Sequence, residues 1–530
     1  MIMNKNILVL FLGIVLISCQ PDKKPDRPNI LFIMSDDHAY QAISAYGSHL
    51  MQTPNIDRIS DEGVLFTNAS VTNSICAPSR ATILTGKHCH INGKINNIQP
   101  FDTTQVTFPQ ILQKEGYQTA MFGKLHFGNN PKGFDQFKIL PGQGNYYNPD
   151  FITKNDGRIN VVGYVTDIIT DMTLDWLKND RNEEKPFFLM YLHKAPHREW
   201  LPAKRHYQDF TKRQFPEPPT LFDNFEGRGT AAKTAEMNIL EHMNWAGDSK
   251  LYPETISELG IEPTITRTHS TSESWDIAAF NSTVGRLNEA QRKAWDSTYL
   301  QINKDFMEAY EDMSEEDLMR WRYQRYMQDY LGCIASVDEG VGLVLDYLKE
   351  SGLDKNTIVV YTSDQGFFLG EHGWFDKRFI YNESFKTPLL MKWPGVIPQG
   401  TKNDEMVQNL DFAQTFLEAA GITPPADMQG ESLMPLLKGE DEKWTRDAVY
   451  YHYYEYPSVH MVKKHYGAVT RDYKLVHFYY DIDEWELYDL KKDPMEMNNV
   501  FHDSAYAAIR KDMEDKLAAL RQKYKVPVND

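Results

Sequence analysis

The sequence predicts an α/β protein in which a large domain with a mixed, mostly parallel sheet flanked by helices precedes a small α+β subdomain with an antiparallel sheet. Apolar runs of strand length recur through the first 440 residues, and helical segments separate them. From about residue 441, short aromatic strands precede one charged helix. Hydrophobic residues make up 41% of the 530-residue chain and charged residues 25%, as in ordinary globular proteins.

Five apolar runs are predicted to be buried strands of the large domain. They are Asn29–Met34, Tyr117–Phe122, Pro186–His193, Asn356–Ser363 and Leu389–Trp393. Helices are predicted at residues 54–63 and 106–116. The first run is followed by acidic residues and so is the fourth, and the carboxyl ends of parallel strands lie at one edge of a sheet. We therefore expect these acids to converge.

The domain boundaries follow from changes in composition. Residues 28–440 are predicted to form the large domain, and residues 441–530 the C-terminal subdomain. Within the large domain, about 207–328 has no apolar strand and is rich in Glu, Arg, Gln and Trp, so we predict a helical insertion. In the subdomain we predict strands at 448–453, 473–480 and 486–490, and a helix at 504–524.

The N-terminus is typical of an export signal. Lys5 precedes an eleven-residue apolar run, Ile7–Ile17, which is too short to span a bilayer stably. Leu16-Ile17-Ser18-Cys19 resembles a bacterial lipobox, which implies cleavage after residue 18, acylation of Cys19 with fatty acids such as palmitate, and attachment to the outer membrane. Residues 19–27 are then a flexible tether. A plain secretory signal with an incidental cysteine is the alternative.

One cysteine lies in a motif that carries chemistry. Cys76-Ala-Pro-Ser-Arg80, followed by Leu84-Thr-Gly86, resembles the C-x-P-S-R-x-x-x-L-T-G signature of type I sulfatases in the alkaline-phosphatase-like superfamily. Further motifs in family order extend the resemblance over nearly all the mature chain. It implies that a formylglycine-generating or anaerobic sulfatase-maturing enzyme oxidises Cys76 to formylglycine (3-oxoalanine). Pro78 is predicted to start a helix, whose N-terminal dipole favours an anion.

Formylglycine suits sulfate-ester hydrolysis for a physical reason. A sulfate ester carries a negative charge, so the site must neutralise it, orient an oxygen nucleophile and protonate the leaving alcohol. A hydrated aldehyde offers two hydroxyls on one carbon: one attacks sulfur, and the other allows the aldehyde to re-form with expulsion of sulfate. A serine provides only the first of these steps.

The metal candidates are Asp36, Asp37, Asp364 and Gln365, which match the metal-binding pairs of the family, with Cys76 beside them. Their oxygens are hard ligands that suit calcium or magnesium. The resemblance implies calcium as the usual ion, and the sequence does not separate the two. The family often has Asn at the position of Gln365.

Cationic residues are expected to form the sulfate pocket. Gly123-Lys124-Leu125-His126 resembles the family's G-K-W-H motif, so the resemblance implies that Lys124 binds sulfate and His126 hydrogen-bonds the formylglycine hydroxyl. His197 matches the sulfate-contacting histidine and is the predicted general acid. Lys377 matches the lysine on the bridging or sulfate oxygen, and Arg80 would support the formylglycine. His193 fits less specifically and is expected to pack.

Two further groups of residues leave alternatives open. A predicted loop carries a basic cluster of His460, Lys463, Lys464 and His465. The cluster is either solvated surface or a contact to the sugar of the substrate. Cys89 and Cys333 either pair in one disulfide or remain buried free thiols, the commoner state for such cysteines.

The predicted function is hydrolysis of sulfate esters in a sulfated polysaccharide or its oligosaccharides. Ulvan, carrageenan, mucin and glycosaminoglycans are candidate substrates, and a pocket would suit exo-action on a terminal sugar. The net charge of −18 argues against non-specific nucleic-acid binding, but it allows a small cationic pocket. The alternatives are a phosphonate monoester or phosphodiester hydrolase of the same superfamily, and a non-catalytic glycan-binding surface lipoprotein.

Overall fold

A computed structural model describes residues 27–262, 264, 266–267 and 273–528. The predicted signal segment and Cys19 lie outside these ranges. The strands of the described chain form three sheets and are, in chain order, β1 (Asn29–Ser35), β2 (Val64–Phe66), β3 (Ala69–Ser70), β4 (Gln118–Lys124), β5 (Gln136–Leu140), β6 (Asp150–Thr153), β7 (Arg158–Asn160), β8 (Phe187–Leu192), β9 (Thr357–Ser363), β10 (Leu389–Lys392), β11 (Thr401–Asn403), β12 (Val407–Gln408), β13 (Ala448–Tyr453), β14 (His465–Thr470), β15 (Tyr473–Phe478) and β16 (Glu484–Asp489).

The large sheet has ten strands in the order β11-β2-β10-β9-β1-β8-β4-β5-β6-β7. Its five central strands, β9 to β5 in that order, all run parallel. Antiparallel pairs join β10 to both neighbours and attach β6 and β7. The predicted mixed, mostly parallel sheet is confirmed, and all five predicted apolar strands are present.

Both faces of this sheet are covered, which explains why its strands are continuously apolar. In β1, Leu31 and Ile33 face one core cluster, and Ile30 and Phe32 face the other. The helices of eight or more residues are Pro54–Asp61, Cys76–Thr85, Val165–Asp175, Glu273–Gly285, Glu289–Ala309, Glu315–Glu350, Phe412–Ala419 and Ala507–Lys523. The shorter helices are Cys89–Asn92, Phe108–Lys114, Tyr207–Phe210, Thr230–Thr234, Ile239–His242, Pro253–Glu258, Asn382–Phe385 and Met434–Leu437.

The predicted insertion is helical, and the described residues between β8 and β9 contain no strand. Asn288 and Ser314 cap its two long helices by accepting hydrogen bonds from backbone amides of the first turn. The second helix, Glu315–Glu350, passes through the predicted end of the insertion near Gln328 without a break. Apolar residues at helical spacing on both sides of that point, such as Tyr326, Ile334 and Val337, pack into one core. None of the described helices is long and apolar enough to cross a membrane.

The C-terminal subdomain is an antiparallel sheet, β13-β14-β15-β16, with the helix Ala507–Lys523 on one face, as predicted. Met513 and Leu517 of this helix pack on Tyr450 and Leu475 of the sheet. The other face packs against the large domain. Strand β14 was not predicted, because its first residue, His465, belongs to the basic cluster assigned to a loop.

The three described cysteines are free and buried. The Nδ2 of Asn73 lies 3.7 Å from the Sγ of Cys89, and the Oγ1 of Thr82 lies 3.9 Å from it. The prediction of free buried thiols at Cys89 and Cys333 is therefore confirmed, and the disulfide between them is not formed.

Candidate active site

The acids that follow β1 and β9 meet at one sheet edge. These strands pair in register from Asn29 with Thr357 to Ser35 with Ser363, so the residues after them are neighbours. Carboxylate oxygens of Asp36, Asp37 and Asp364 all lie within 4.8 Å of one another, and all three side chains are fully buried. The predicted convergence is confirmed.

These residues fit a divalent metal ion. The amide of Asp37 donates to Asp364 Oδ1 at 3.1 Å, and the Nε2 of Gln365 donates to Asp37 Oδ1. The Oε1 of Gln365 is buried and has no hydrogen-bond partner among the described residues. Burial raises the pKa of Asp37 to about 7 although Lys377 opposes it. Three buried carboxylates and an unpartnered amide oxygen are a ligand set for a hard cation.

Cys76 begins the helix Cys76–Thr85 and lies against the acids, with Sγ 3.4 Å from Asp36 Oδ1. The Nε2 of Gln365 is 4.0 Å from the same sulfur. Complete burial, reinforced by the Asp36 carboxylate, raises the pKa of the Cys76 thiol well above its ordinary value. The thiol therefore stays protonated at neutral pH and is a poor nucleophile, so the site does not suit catalysis by an unmodified cysteine.

Arg80 lies one helical turn after Cys76 and binds two of the acids. Its Nε and one terminal nitrogen are 2.9 Å and 2.8 Å from Asp364 Oδ2, and the same terminal nitrogen is 3.3 Å from Asp36 Oδ2. The other terminal nitrogen donates to the carbonyl of Lys124. Arg80 therefore fixes the helix that carries Cys76 against the ends of β1, β4 and β9.

Two lysines complete the charge balance of the site. Lys124, the last residue of β4, forms an ion pair with Asp36 Oδ2. The Nζ of Lys377 lies 2.6 Å and 2.7 Å from the two carboxylate oxygens of Asp37. Together with Arg80 they form the cationic site that was predicted within an acidic protein.

His126 is held in the left-handed region, with φ +63°, directly after β4. Its Nδ1 is buried without a hydrogen-bond partner among the described residues. Burial, helped by the charge of Lys124, lowers the pKa of His126 to about 3. The ring is therefore neutral at physiological pH and available for hydrogen bonding.

His197 is oriented by its own backbone. Its Nδ1 donates to the carbonyl of Arg198, since a carbonyl only accepts, and Nε2 lies 3.8 Å from Asp37 Oδ2. Burial and the charge of Lys124 lower the pKa of His197 well below its ordinary value. In the free protein His197 is thus neutral with Nε2 unprotonated, so a general acid here must first gain a proton.

His193 packs, as expected. It is fully buried, its ring centre lies 4.3 Å from that of Tyr191, and neither ring nitrogen has a hydrogen-bond partner among the described residues. This histidine takes no direct part in the site.

Most of the basic cluster lies outside the strands, as the loop prediction expected, but its last residue, His465, does not. His465 starts β14 and is buried, and Lys463 pairs with Asp481. Lys464 lies 4.2 Å over the ring of Tyr480. Only His460 of the cluster lines the cavity described next, and its Nε2 is 3.2 Å from Asp376 Oδ2.

A cavity of about 550 Å³ opens above these groups. His126, His197 and Lys377 line it, and the insertion and the C-terminal subdomain supply other walls. Polar lining residues that the sequence did not reveal include Lys194, Arg198, Glu199, His242, Asn244, Arg286, Asp376, Arg378 and Glu455. Asp376 and Arg378 flank Lys377, and Lys194 lies between His193 and His197, so adjacency to a motif was a usable signal. The insertion residues had no such signal.

Comparisons with known proteins agree with this geometry. Residues 28–422 match the sulfatase family, and residues 370–523 match the C-terminal part of N-sulphoglucosamine sulphohydrolase. An N-acetylglucosamine-6-O-sulfatase of Bacteroides thetaiotaomicron is 47% identical over 98% of this chain and 92% of its own. An ulvan-active sulfatase of Formosa agariphila is 23% identical over 83% of this chain and 72% of its own.

Solved structures show the same fold. The structure of BT4656 in complex with its substrate D-glucosamine-2-N,6-O-disulfate has a TM-score of 0.88 and 47% identity, covering 94% of this chain and 98% of its own. The phosphonate monoester hydrolase of Agrobacterium radiobacter has a TM-score of 0.61 at 20% identity, covering 94% and 96%. At that identity the likeness concerns the fold alone. The family match over most of the chain, together with the assembled site, establishes that this protein belongs to the sulfatase family and is a sulfatase.

Proposed function

We propose that the protein removes the 6-O-sulfate from a glucosamine or N-acetylglucosamine residue of a sulfated glycan. The observation that carries this proposal is 47% identity over 98% of the chain to an N-acetylglucosamine-6-O-sulfatase. The solved complex with D-glucosamine-2-N,6-O-disulfate, also at 47% identity, supports the same sugar. Ulvan is less well supported, because the ulvan-active relative is 23% identical. Glycosaminoglycan and mucin fragments are the preferred candidates.

The cavity supports action on a terminal sugar. Its volume of about 550 Å³ is that of an ordinary small-ligand site. Its walls come from the large domain, the insertion and the C-terminal subdomain, so it is enclosed on several sides. An exo-acting enzyme fits such a pocket.

The proposed nucleophile is a hydroxyl of hydrated formylglycine made from Cys76, which supplies an oxygen for attack on sulfur and a route to release sulfate. The raised pKa of the buried thiol supports the need for this conversion. Because Cys76 is fully buried, a maturing enzyme must reach it before folding is complete. The folded, unconverted protein is then expected to resist maturation.

Asp36, Asp37, Asp364 and Gln365 are proposed to hold a calcium ion, with magnesium as the alternative. When bound, the ion would withdraw charge from a sulfate oxygen and from the nucleophile. The acids need no rearrangement of the backbone to provide their oxygens, since all follow rigid strands.

The remaining residues have separate roles in the proposed reaction. Lys124 and Lys377 neutralise sulfate oxygens, and neutral His126 hydrogen-bonds the nucleophilic hydroxyl. The Nε2 of His197 gains a proton when the sulfate anion enters, because a nearby negative charge raises the pKa of a histidine. From there the proton passes to the oxygen of the leaving alcohol.

For the cell, we propose an exported lipoprotein held at the outer membrane by acylated Cys19. The short apolar run and the lipobox-like Leu16–Cys19 support it. In cells fed labelled palmitate, the wild-type protein should carry label and sediment with membranes, whereas Cys19→Ala should lose both properties. Membrane retention of an unlabelled Cys19→Ala protein would exclude this anchor.

The substrate proposal is tested by sulfate release from purified, matured enzyme. The panel is N-acetylglucosamine-6-O-sulfate, D-glucosamine-2-N,6-O-disulfate, galactose-6-O-sulfate, and an aryl phosphate and phosphonate. We expect turnover of the glucosamine-based esters and at least tenfold lower kcat/KM on the others, with Cys76→Ala as the inactive control. Preference for galactose or for the phosphoesters would refute the proposal.

A further inference from the structure

The cations of the cavity are nearly all neutralised by acids of the protein. Lys377 pairs with Asp37, Arg198 with Asp248, Arg286 with Asp150 and Arg378 with Glu455, with closest distances of 2.6, 2.5, 3.5 and 2.7 Å. Lys124 below the cavity pairs with Asp36. Among the described lysines and arginines lining the cavity, Lys194 alone has no carboxylate partner.

Lys194 is an almost wholly buried lysine whose ammonium has no hydrogen-bond acceptor among the described residues. Only 3% of the residue is exposed, and no described residue accepts a hydrogen bond from its Nζ. The Nζ lies 4.6 Å from the ring centre of Tyr146, whose hydroxyl donates to the carbonyl of His197 at 2.6 Å. A contact with an aromatic face offsets part of the cost of burying a charge, but it leaves the donors of the ammonium unused.

The position of Lys194 points to the floor of the cavity rather than its rim. It is the second residue after β8, and the carbonyl of the next residue, Ala195, accepts from the amide of Asp36 at 3.3 Å. Burial and, after it, the charge of Lys124 lower the pKa of Lys194 to about 8, although Asp36 and Glu199 oppose them. The ammonium is therefore within electrostatic reach of the groups that surround Cys76.

We infer that Lys194 binds the scissile sulfate group of the substrate directly, as a third ammonium beside Lys124 and Lys377. It differs from those two because no acid in the described part of the chain pairs with it. An arriving sulfate would supply the missing hydrogen-bond acceptors for its buried donors. The inference rests on the proposed function for the sugar, but the sulfate contact itself does not depend on which sugar carries the ester.

Steady-state kinetics on N-acetylglucosamine-6-O-sulfate test the inference. Lys194→Met should raise KM by about tenfold or more, as expected for loss of a charged hydrogen bond, with kcat changed much less. Lys194→Arg keeps the charge and should recover most of the affinity. The matched control is Lys204→Met, which changes an exposed lysine ten residues further along the chain and should behave as wild type.

Two results would overturn the inference. One is a KM on the monosulfate that is the same for Lys194→Met and wild type. This includes the case in which only the KM for D-glucosamine-2-N,6-O-disulfate rises, because the lysine would then bind the second sulfate group. The other is a lower unfolding midpoint for Lys194→Met than for Lys204→Met, which would assign Lys194 a structural role.

Binding of inorganic sulfate separates this inference from the sugar assignment. Calorimetry in the Cys76→Ala background should show at least tenfold weaker sulfate binding when Lys194→Met is added. If wild type turns over none of the glucosamine esters but this weakening is seen, the proposed substrate fails and the role of Lys194 stands. If wild type is active and the sulfate affinity of Cys76→Ala is the same with and without Lys194→Met, the role of Lys194 is refuted.

Discussion

Arg80 binds one carboxylate oxygen of Asp364 through two nitrogens, Nε at 2.9 Å and a terminal nitrogen at 2.8 Å. The other oxygen of Asp364 accepts from the backbone amide of Asp37 at 3.1 Å. One buried acid thus connects the helix of Cys76 to the ends of two central strands. The reactive residue and the metal ligands are held in one rigid unit.

Arg80→Ala should unfold more easily and lose sulfatase activity. Removing the guanidinium leaves Asp36 and Asp364 buried with too little positive charge, and breaking a buried pair costs about 3–5 kcal/mol. Denaturant unfolding of the metal-free protein measures this. Arg58→Ala, which breaks the partly exposed pair with Asp346, is the control and should cost about 0–1 kcal/mol. Equal losses for the two variants would contradict the central place of Arg80.

Metal removal should inactivate the enzyme and lower its thermal stability. Returning calcium or magnesium at about 100 times its Kd should restore about 2.7 kcal/mol, because the ion binds only the folded state. Asp364→Asn should abolish that gain. Asp338→Asn makes the same change at a buried acid that caps the helix Pro54–Asp61, and it should keep the gain. A metal-induced shift that survives Asp364→Asn would place the ion elsewhere.

The pH dependence of kcat/KM should report Lys194. Its pKa of about 8 means that the ammonium, present below that pH, is lost as pH rises through about 8. Sulfate binding should therefore weaken above pH 8, and kcat/KM should fall. In Lys194→Arg this alkaline limb should move to higher pH, because a guanidinium stays charged. An unchanged limb in that variant would assign it to another group.

Asp223 should matter for stability although it lies outside the cavity lining. It pairs with the buried Arg228 of the insertion, and the Nδ1 of His372 lies 3.0 Å from its Oδ2. Asp223→Ala leaves the buried guanidinium of Arg228 without its carboxylate partner, so we expect a loss of about 3–5 kcal/mol in unfolding free energy. Glu217→Ala, which breaks the partly exposed pair with Arg320, is the control for denaturant unfolding. A loss below 1 kcal/mol for Asp223→Ala would show that Asp223, which joins Arg228 of the insertion to His372 outside it, does not stabilise the insertion.

The sequence allowed prediction of those parts of the site that follow from strand geometry. Acids after two apolar runs predicted a shared sheet edge, and the register of Ser35 with Ser363 confirms it. The motif of Cys76 and Arg80 predicted a helix, although it begins at Cys76 rather than at Pro78. These features depend on local spacing, which is visible in a single chain.

Other parts depend on distant contacts that spacing does not reveal. The pairing of Lys377 with Asp37 joins residues 340 positions apart, and the lining residues His242 and Arg286 come from an insertion with no motif. Strand β14 was missed because it begins at the polar His465, which is nevertheless fully buried and accepts a hydrogen bond from the amide of Ile380 in the large domain. That no described acid pairs with Lys194 is visible only in the folded structure.

The most direct test of the account is mass spectrometry of the peptide containing Cys76, from protein produced with a maturing enzyme, together with sulfate release from N-acetylglucosamine-6-O-sulfate. The account predicts formylglycine at position 76, release of sulfate by that protein, and no release by Cys76→Ala. An unmodified Cys76 in protein that still releases sulfate, or activity that survives Cys76→Ala, would contradict it.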